Sequence, residues 1–373
     1  MTENWVKKFD GIWREPKKWV EKLKKETGKK VIGWAIPDGP EELILASGAY
    51  SVGLLGEGTA FSLAEAHFQG FACSYSRTLL EQIKRGELNY LDGVIFPHTC
   101  DAMRALDLVV KELEPFKLVE SYRVPRVRDN ASAVKYFSQE LERVRKRLGE
   151  LTGHYAKAEE LGPAIKQVNQ VKEWLGEVKK EMVSGRVNAR EFFSLVQAGM
   201  AGDKREVGEL ARRFLEEVKA RNTSNQKKLK VVLAGKVLEP IEMIDELEHA
   251  GFQVVDDLLV NGSRYIESQV KIGSEPMKDL VYAQLNKIPI AGVYDTKKSR
   301  AQWIIQRVRE TQAEAVIYLV QKFCEPYELE VVGVEEELNQ AGIKVLRLES
   351  DYQTSSLPLL RTRIDAFAEM LVG

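Results

Sequence analysis

Three residues offer chemistry that the rest of the chain does not duplicate: Cys73, Cys100 and Cys324, the only cysteines among 373 residues. An odd number argues against a complete set of internal disulfides and fits a reducing compartment. A free cysteine is most often a small buried hydrophobe, so the neighbours must decide its use. Cys100 follows the apolar run Leu91-Asp92-Gly93-Val94-Ile95-Phe96-Pro97, and Cys324 follows the run from Ala315 to Val320. Both therefore read as strand-end residues. Cys73 stands in Phe71-Ala72-Cys73-Ser74-Tyr75-Ser76-Arg77, at the start of a helix whose free N–H groups favour a thiolate. Structural zinc normally takes four protein ligands, and there is no Cys-x-x-Cys pair; His98, two residues before Cys100, is the available fourth donor. A catalytic thiol would need a base, for which His98 or His67 would serve. The catalytic-thiol use does not call for all three cysteines. An iron-sulfur cluster does use several thiolates, and a cubane held by three leaves one iron open to water, sulfide or substrate.

The elements that must position these thiols follow a βα rhythm. Lys30 to Ala35, Tyr50 to Leu55 and Leu91 to Pro97 read as strands, with helices at Pro40 to Ser47 and Thr78 to Arg85. Between about Ala131 and Arg221 the pattern changes to apolar residues every three or four positions, such as Leu141, Val144, Leu148 and Leu151. This predicts a helical section whose Lys and Glu pairs form solvated faces. The polar segment Ala220 to Gln226 has little to bury and marks a boundary. Strands at Lys230 to Gly235, Phe252 to Val255, Ala315 to Val320 and Lys344 to Leu348 then follow, with helices at Pro240 to Ala250, Ser299 to Thr311, Val334 to Ala341 and Leu360 to Leu371. The expected fold is α/β, with two doubly wound, Rossmann-like parallel-sheet domains separated by helices. The expected divisions are residues 1–130 carrying Cys73 and Cys100, 131–222 helical, and 223–373 carrying Cys324. In such sheets ligands sit beyond the carboxyl ends of the strands, where the cysteines fall.

Bulk properties exclude more than they suggest. Lys plus Arg number 55 against 56 Asp plus Glu, so no net field draws in nucleic acid. The aromatic and basic residues near the start, Trp5, Phe9, Trp13 and Trp19, recur at a helical period and read as a packing face. No stretch reaches about 18 apolar residues and the N-terminus lacks a signal-peptide core, so a cytoplasmic protein without a membrane partner is expected.

Around the cysteines the sequence resembles the iron-sulfur subunits of the 2-hydroxyacyl-CoA dehydratase and ATP-dependent benzoyl-CoA reductase family. The marks are Thr27-Gly28-Lys29-Lys30-Val31-Ile32-Gly33, Pro40-Glu41-Glu42-Leu43-Ile44, Phe71-Ala72-Cys73-Ser74, and Leu91-Asp92-Gly93-Val94-Ile95 leading to Cys100-Asp101. They continue with Asp257-Leu258, Gly262-Ser263-Arg264-Tyr265, Lys322-Phe323-Cys324-Glu325-Pro326 and Thr362-Arg363-Ile364-Asp365-Ala366-Phe367. The resemblance implies a 4Fe-4S cubane on Cys73, Cys100 and Cys324 with a non-protein ligand on the remaining iron, and a dimer of related subunits. It also implies a separate iron-sulfur ATPase activator that delivers one low-potential electron, ATP entering only through that activator. In the dehydratases the electron makes a ketyl radical from an acyl-CoA thioester, which then loses its 2-hydroxyl group.

The chain is similar to the smaller subunit of such pairs, which relays the electron while its partner meets the acyl-CoA. Ser74 and His98 are candidate hydrogen-bond donors to sulfide or an iron-bound ligand, and Glu325 a candidate acid or base. Each reads equally as a capping serine, a surface imidazole and a solvated carboxylate. The polar segment Ile36-Pro37-Asp38-Gly39-Pro40 and the run Gln353-Thr354-Ser355 carry no CoA signature. Two alternatives stay open: a homodimeric double-cubane reductase of small molecules such as acetylene, with sulfide bridging two cubanes, and a cluster-bearing electron-transfer or assembly protein.

Overall fold

The computed structural model describes residues 4–58, 60–222, 228–294, 298–352 and 357–372. Its frame is a pair of four-stranded sheets. The first holds β1 (Val31–Ala35), β2 (Tyr50–Leu54), β3 (Gly93–His98) and β4 (Leu118–Arg123) in the order β2-β1-β3-β4. The second holds β5 (Leu229–Gly235), β6 (Phe252–Leu258), β7 (Ala315–Gln321) and β8 (Lys344–Ser350) in the order β6-β5-β7-β8. Every strand pairing is parallel. Every residue of β1 and β7 is buried, as expected for parallel strands covered by helices on both faces. Each sheet thus has a switch point between its two central strands, where strand order reverses and a crevice opens.

The helices are α1 (Trp5–Arg14), α2 (Pro16–Thr27), α3 (Glu41–Ala46), α4 (Ser74–Lys84), α5 (Asp101–Leu113), α6 (Ala131–Thr152), α7 (Ala158–Val183), α8 (Ala189–Ala201) and α9 (Lys204–Lys219). The second half adds α10 (Met243–His249), α11 (Ser263–Ile266), α12 (Pro276–Leu285), α13 (Arg300–Thr311), α14 (Glu325–Gln340) and α15 (Leu357–Val372). Trp5, Phe9 and Trp13 recur every four residues and are buried, so α1 is a packing helix lying on α8. Its N-cap Asn4 accepts a hydrogen bond from the Lys7 amide at 3.0 Å. Helix α8 is apolar on almost every side, and all of Phe192 to Ala201 is buried. It touches β2 of one sheet and β6 of the other, so the helical section fills the space between the sheets. Gly53 permits this closeness, since a Cβ there would stand 3.0 Å from the Met200 carbonyl oxygen.

Buried charges tie the seam. The Arg264 guanidinium donates to both oxygens of Asp38, at 2.9 and 3.2 Å, and Lys287 lies 3.4 Å from the same carboxylate. Lys172 lies 3.7 Å from Glu42, and Lys204 pairs with Glu41. The polar segment around Asp38 is therefore a structural clasp.

The structure departs from sequence expectation in several places. Strand β3 runs through Pro97 to His98, because its pairing with β1 ends at Ile95 and a proline beyond that point breaks no ladder on that side. Helix α14 starts at Glu325 rather than near Val334; Pro326 in its first turn, with Glu325 and Glu328, is the start signal. Strand β4 and helices α5, α11 and α12 lie outside the elements the sequence pattern predicts. Of the polar boundary segment, Thr223 to Gln226 lies outside the described residues, as do Gln353, Thr354 and Ser355. No helix among the described residues is long and apolar enough to cross a membrane.

Candidate metal centre

The three cysteines occupy equivalent local positions. Each is the N-cap of a helix: Cys73 of α4, Cys100 of α5 and Cys324 of α14. None forms a disulfide; Cys73 and Cys324 are buried and Cys100 nearly so. Cys100 follows β3 and Cys324 follows β7, the two central strands that face their switch points. A helix start directs unpaired backbone N–H groups and the positive end of the helix dipole towards the cap residue, which favours an anionic sulfur.

All three side chains line one cavity of about 400 Å³ that opens to the surface past Phe71, Asp101, Phe323 and Glu325. They also line a narrower pocket behind it, of about 30 Å³, closed by Ile36, Thr99, Met103, Lys236 and Tyr327. Its walls thus come from the ends of β1, β3, β5 and β7. Among the described residues no three His, Cys, Asp or Glu side chains close around a single ion. The thiols surround a space rather than a point. Three soft thiols, each at a helix start, suit a thiolate-ligated cluster in their donor type and setting.

Lys236 completes the electrostatics. Its Nζ lies 3.6 Å from the Cys73 Sγ and donates to Gln321 Oε1 at 2.9 Å, and the Tyr75 ring stands 5.2 Å from it. Burial works against the ammonium charge, but Cys324, Cys73 and Cys100 outweigh it and hold the lysine above its ordinary range. Burial likewise opposes ionisation of Cys73, yet Lys236 and the Ser76 hydroxyl, 3.4 Å from its sulfur, bring that thiol below its ordinary value. Burial and then the charge of Cys73 push Cys100 up. Burial, reinforced by the other two cysteines, pushes Cys324 up to about 12. Lys236 favours the ionised form of all three thiols, and Arg126 adds to this at Cys100, but only Cys73 falls below its ordinary range.

The other candidates fall at different distances from this centre. Ser74 is buried in the first turn of α4, its hydroxyl has no hydrogen-bond partner among the described residues, and it lines neither cavity. His98 donates or accepts at 2.9 Å with Asp107, a carboxylate that Lys111 also contacts at 2.9 Å, and lines neither cavity. Glu325 lies at the exposed mouth. Lys236, Gln321 and Ser76 are not among the candidates the sequence offers. Lys236 directly follows the strand Lys230 to Gly235, so the strand-end rule that marked two cysteines also marks it. Gly235 sets its direction with φ of +123°, and a Cβ there would meet the Leu319 carbonyl oxygen at 2.0 Å. Phe323 holds a positive φ of 62° just before Cys324, its amide donating to Glu328 Oε1 at 2.9 Å.

Two parallel sheets whose switch points share one thiol-lined crevice define an α/β protein with its candidate site between its halves. The family described as 2-hydroxyglutaryl-CoA dehydratase, D-component, matches residues 38–371, and the chain belongs to it. It is 26% identical to the (R)-phenyllactyl-CoA dehydratase beta subunit of Clostridium sporogenes, over 99% of each chain. It is 29% identical to the lactoyl-CoA dehydratase subunit beta of Anaerotignum propionicum, covering 95% of this chain and 96% of that one. A benzoyl-CoA reductase subunit of Thauera aromatica is 24% identical over 93% of this chain and 92% of its own. The protein is an enzyme subunit of the lyase or oxidoreductase type, of the 2-hydroxyacyl-CoA dehydratase and benzoyl-CoA reductase kind.

Proposed function

We propose that this chain is the smaller, electron-relaying subunit of a two-subunit 2-hydroxyacyl-CoA dehydratase, with a 4Fe-4S cluster on Cys73, Cys100 and Cys324. The observation that carries the proposal is the meeting of three helix-capping thiols, drawn from both sheets, at one crevice. The relatives are named as beta subunits of dehydratases and as one subunit of a reductase, which supports a partner subunit. When bound, such a cluster would take up and pass on one electron at low potential, delivered by an ATP-hydrolysing iron-sulfur activator. The chain's own residues do the rest. Cys73, Cys100 and Cys324 hold the group, the helix starts and Lys236 offset its negative charge, and Ile36, Met103 and Tyr327 keep water from its inner side. Ser74 lines neither cavity and takes no part in holding the group.

The test is anaerobic purification with iron and acid-labile sulfide analysis and electron paramagnetic resonance after reduction. Iron and sulfide should appear in equal amounts near cubane stoichiometry, and Cys100→Ser should lose most of both. A colourless wild type, or full retention of iron and spectrum in Cys100→Ser, overturns the assignment. Co-purification with a larger homologous subunit, read by native mass, is the expected assembly.

A further inference from the structure

Lys236 is the one cation among the described residues that line either cavity; the other charged lining groups, Asp101, Glu325 and Glu328, are acids at the mouth. It is 9% exposed, and three contacts hold its head in place: the Cys73 sulfur at 3.6 Å, the Gln321 amide oxygen at 2.9 Å and the face of Tyr75 at 5.2 Å. Tyr75 is itself fixed, donating to the Leu54 carbonyl at 2.7 Å and accepting from the Ile36 amide at 2.9 Å. Gln321 ends β7 and Lys236 follows β5, so both come from the second sheet, while Cys73 comes from the first half. Building a lysine into an apolar pocket costs solvation, and such a cost is sustained where a charge must be offset.

We propose that Lys236 is a positioning residue that sets the electron affinity of the group on the three cysteines, an inference that rests on the cluster assignment above. Reduction adds one electron to the centre without changing a bond or a proton at Lys236. The reduced centre is more negative by one charge, and an ammonium 3.6 Å from a ligand sulfur, in a site screened from water, stabilises it over the oxidised centre. The same contact makes Cys73 the ligand whose sulfur carries a hydrogen bond from a cation.

The experiment is a redox titration, followed by electron paramagnetic resonance, of the anaerobically purified chain with its co-purifying partner. Wild type, Lys236→Met and Lys236→Arg are compared at equal iron content, with a chemical one-electron reductant. Lys236→Met keeps most of the stem and removes the charge. At a fixed potential its reduced-to-oxidised ratio should fall at least tenfold, which is a shift of about 59 mV to more negative potential for one electron. Lys236→Arg should stay closer to wild type than to Lys236→Met. If Lys236→Met fails to load iron, Lys236→Gln replaces it, and the charge-free and charge-keeping variants must still differ. Equal midpoints with and without the charge overturn the role of Lys236 while leaving the cluster assignment standing. A wild type without iron and sulfide overturns the assignment, and this inference with it.

Discussion

At the residue scale, Glu81 shows how a single carboxylate can hold a turn beside the centre. It is fully buried on α4, and its oxygens accept hydrogen bonds from the amides of Ser62, Leu63 and Ala64, the Ser62 hydroxyl and the Arg85 guanidinium. Burial opposes its charge, but these bonds prevail and lower its pKa from 4.5 to about 2. Glu81→Ala, which strands three backbone donors, should cost about 2 to 4 kcal/mol in urea unfolding at neutral pH. Because the folded-state pKa lies below the unfolded one, the ionised group contributes its full stabilisation above about pH 4.5 and loses it as pH falls towards 2. The stability gap between wild type and Glu81→Gln should therefore narrow between those values. A gap that widens with acidification would contradict the hydrogen-bond account.

At the scale of elements, the decisive parts are the seam and the helix starts. Asp38 is held well below the usual carboxylate range: burial alone would raise it, but Arg264 and Lys287 overcome that. Asp38→Asn leaves two buried cations without their counter-charge and should cost about 3 to 5 kcal/mol. In a double-mutant cycle with Arg264→Met the second loss should be much smaller than the first, because the pair is already broken. Additive losses would show that the clasp is not a unit. The cysteine positions were legible in the sequence because strand ends announce themselves locally: Cys100 and Cys324 each follow an apolar run. The clasp was not legible, since Asp38 and Arg264 are distant in sequence and look like ordinary polar residues there. The start of α14 was masked because its first turn, Glu325-Pro326-Tyr327-Glu328, lacks an apolar period and must be read from its proline and acids. Lys236 was hidden by the ordinariness of lysine at a surface, where most lysines remain.

For the whole molecule, the repeated strand order and the enclosed α8 bind two similar halves into one cooperative body. Phe192 is fully buried in α8, so Phe192→Ala should cost about 3 to 5 kcal/mol. Because α8 touches β2 and β6, both sheets should lose stability together. Unfolding followed by far-ultraviolet dichroism and by fluorescence of single-tryptophan variants keeping either Trp34 or Trp303 should give coincident transitions. Two resolved transitions would show that the halves unfold independently. The site's origin in both halves also bears on its biogenesis. Cys73 and Cys100 leave the ribosome well before Cys324, which is preceded by the β7 strand that aims it. All three thiols can therefore close on one group only after β7 has been made and has paired beside β5.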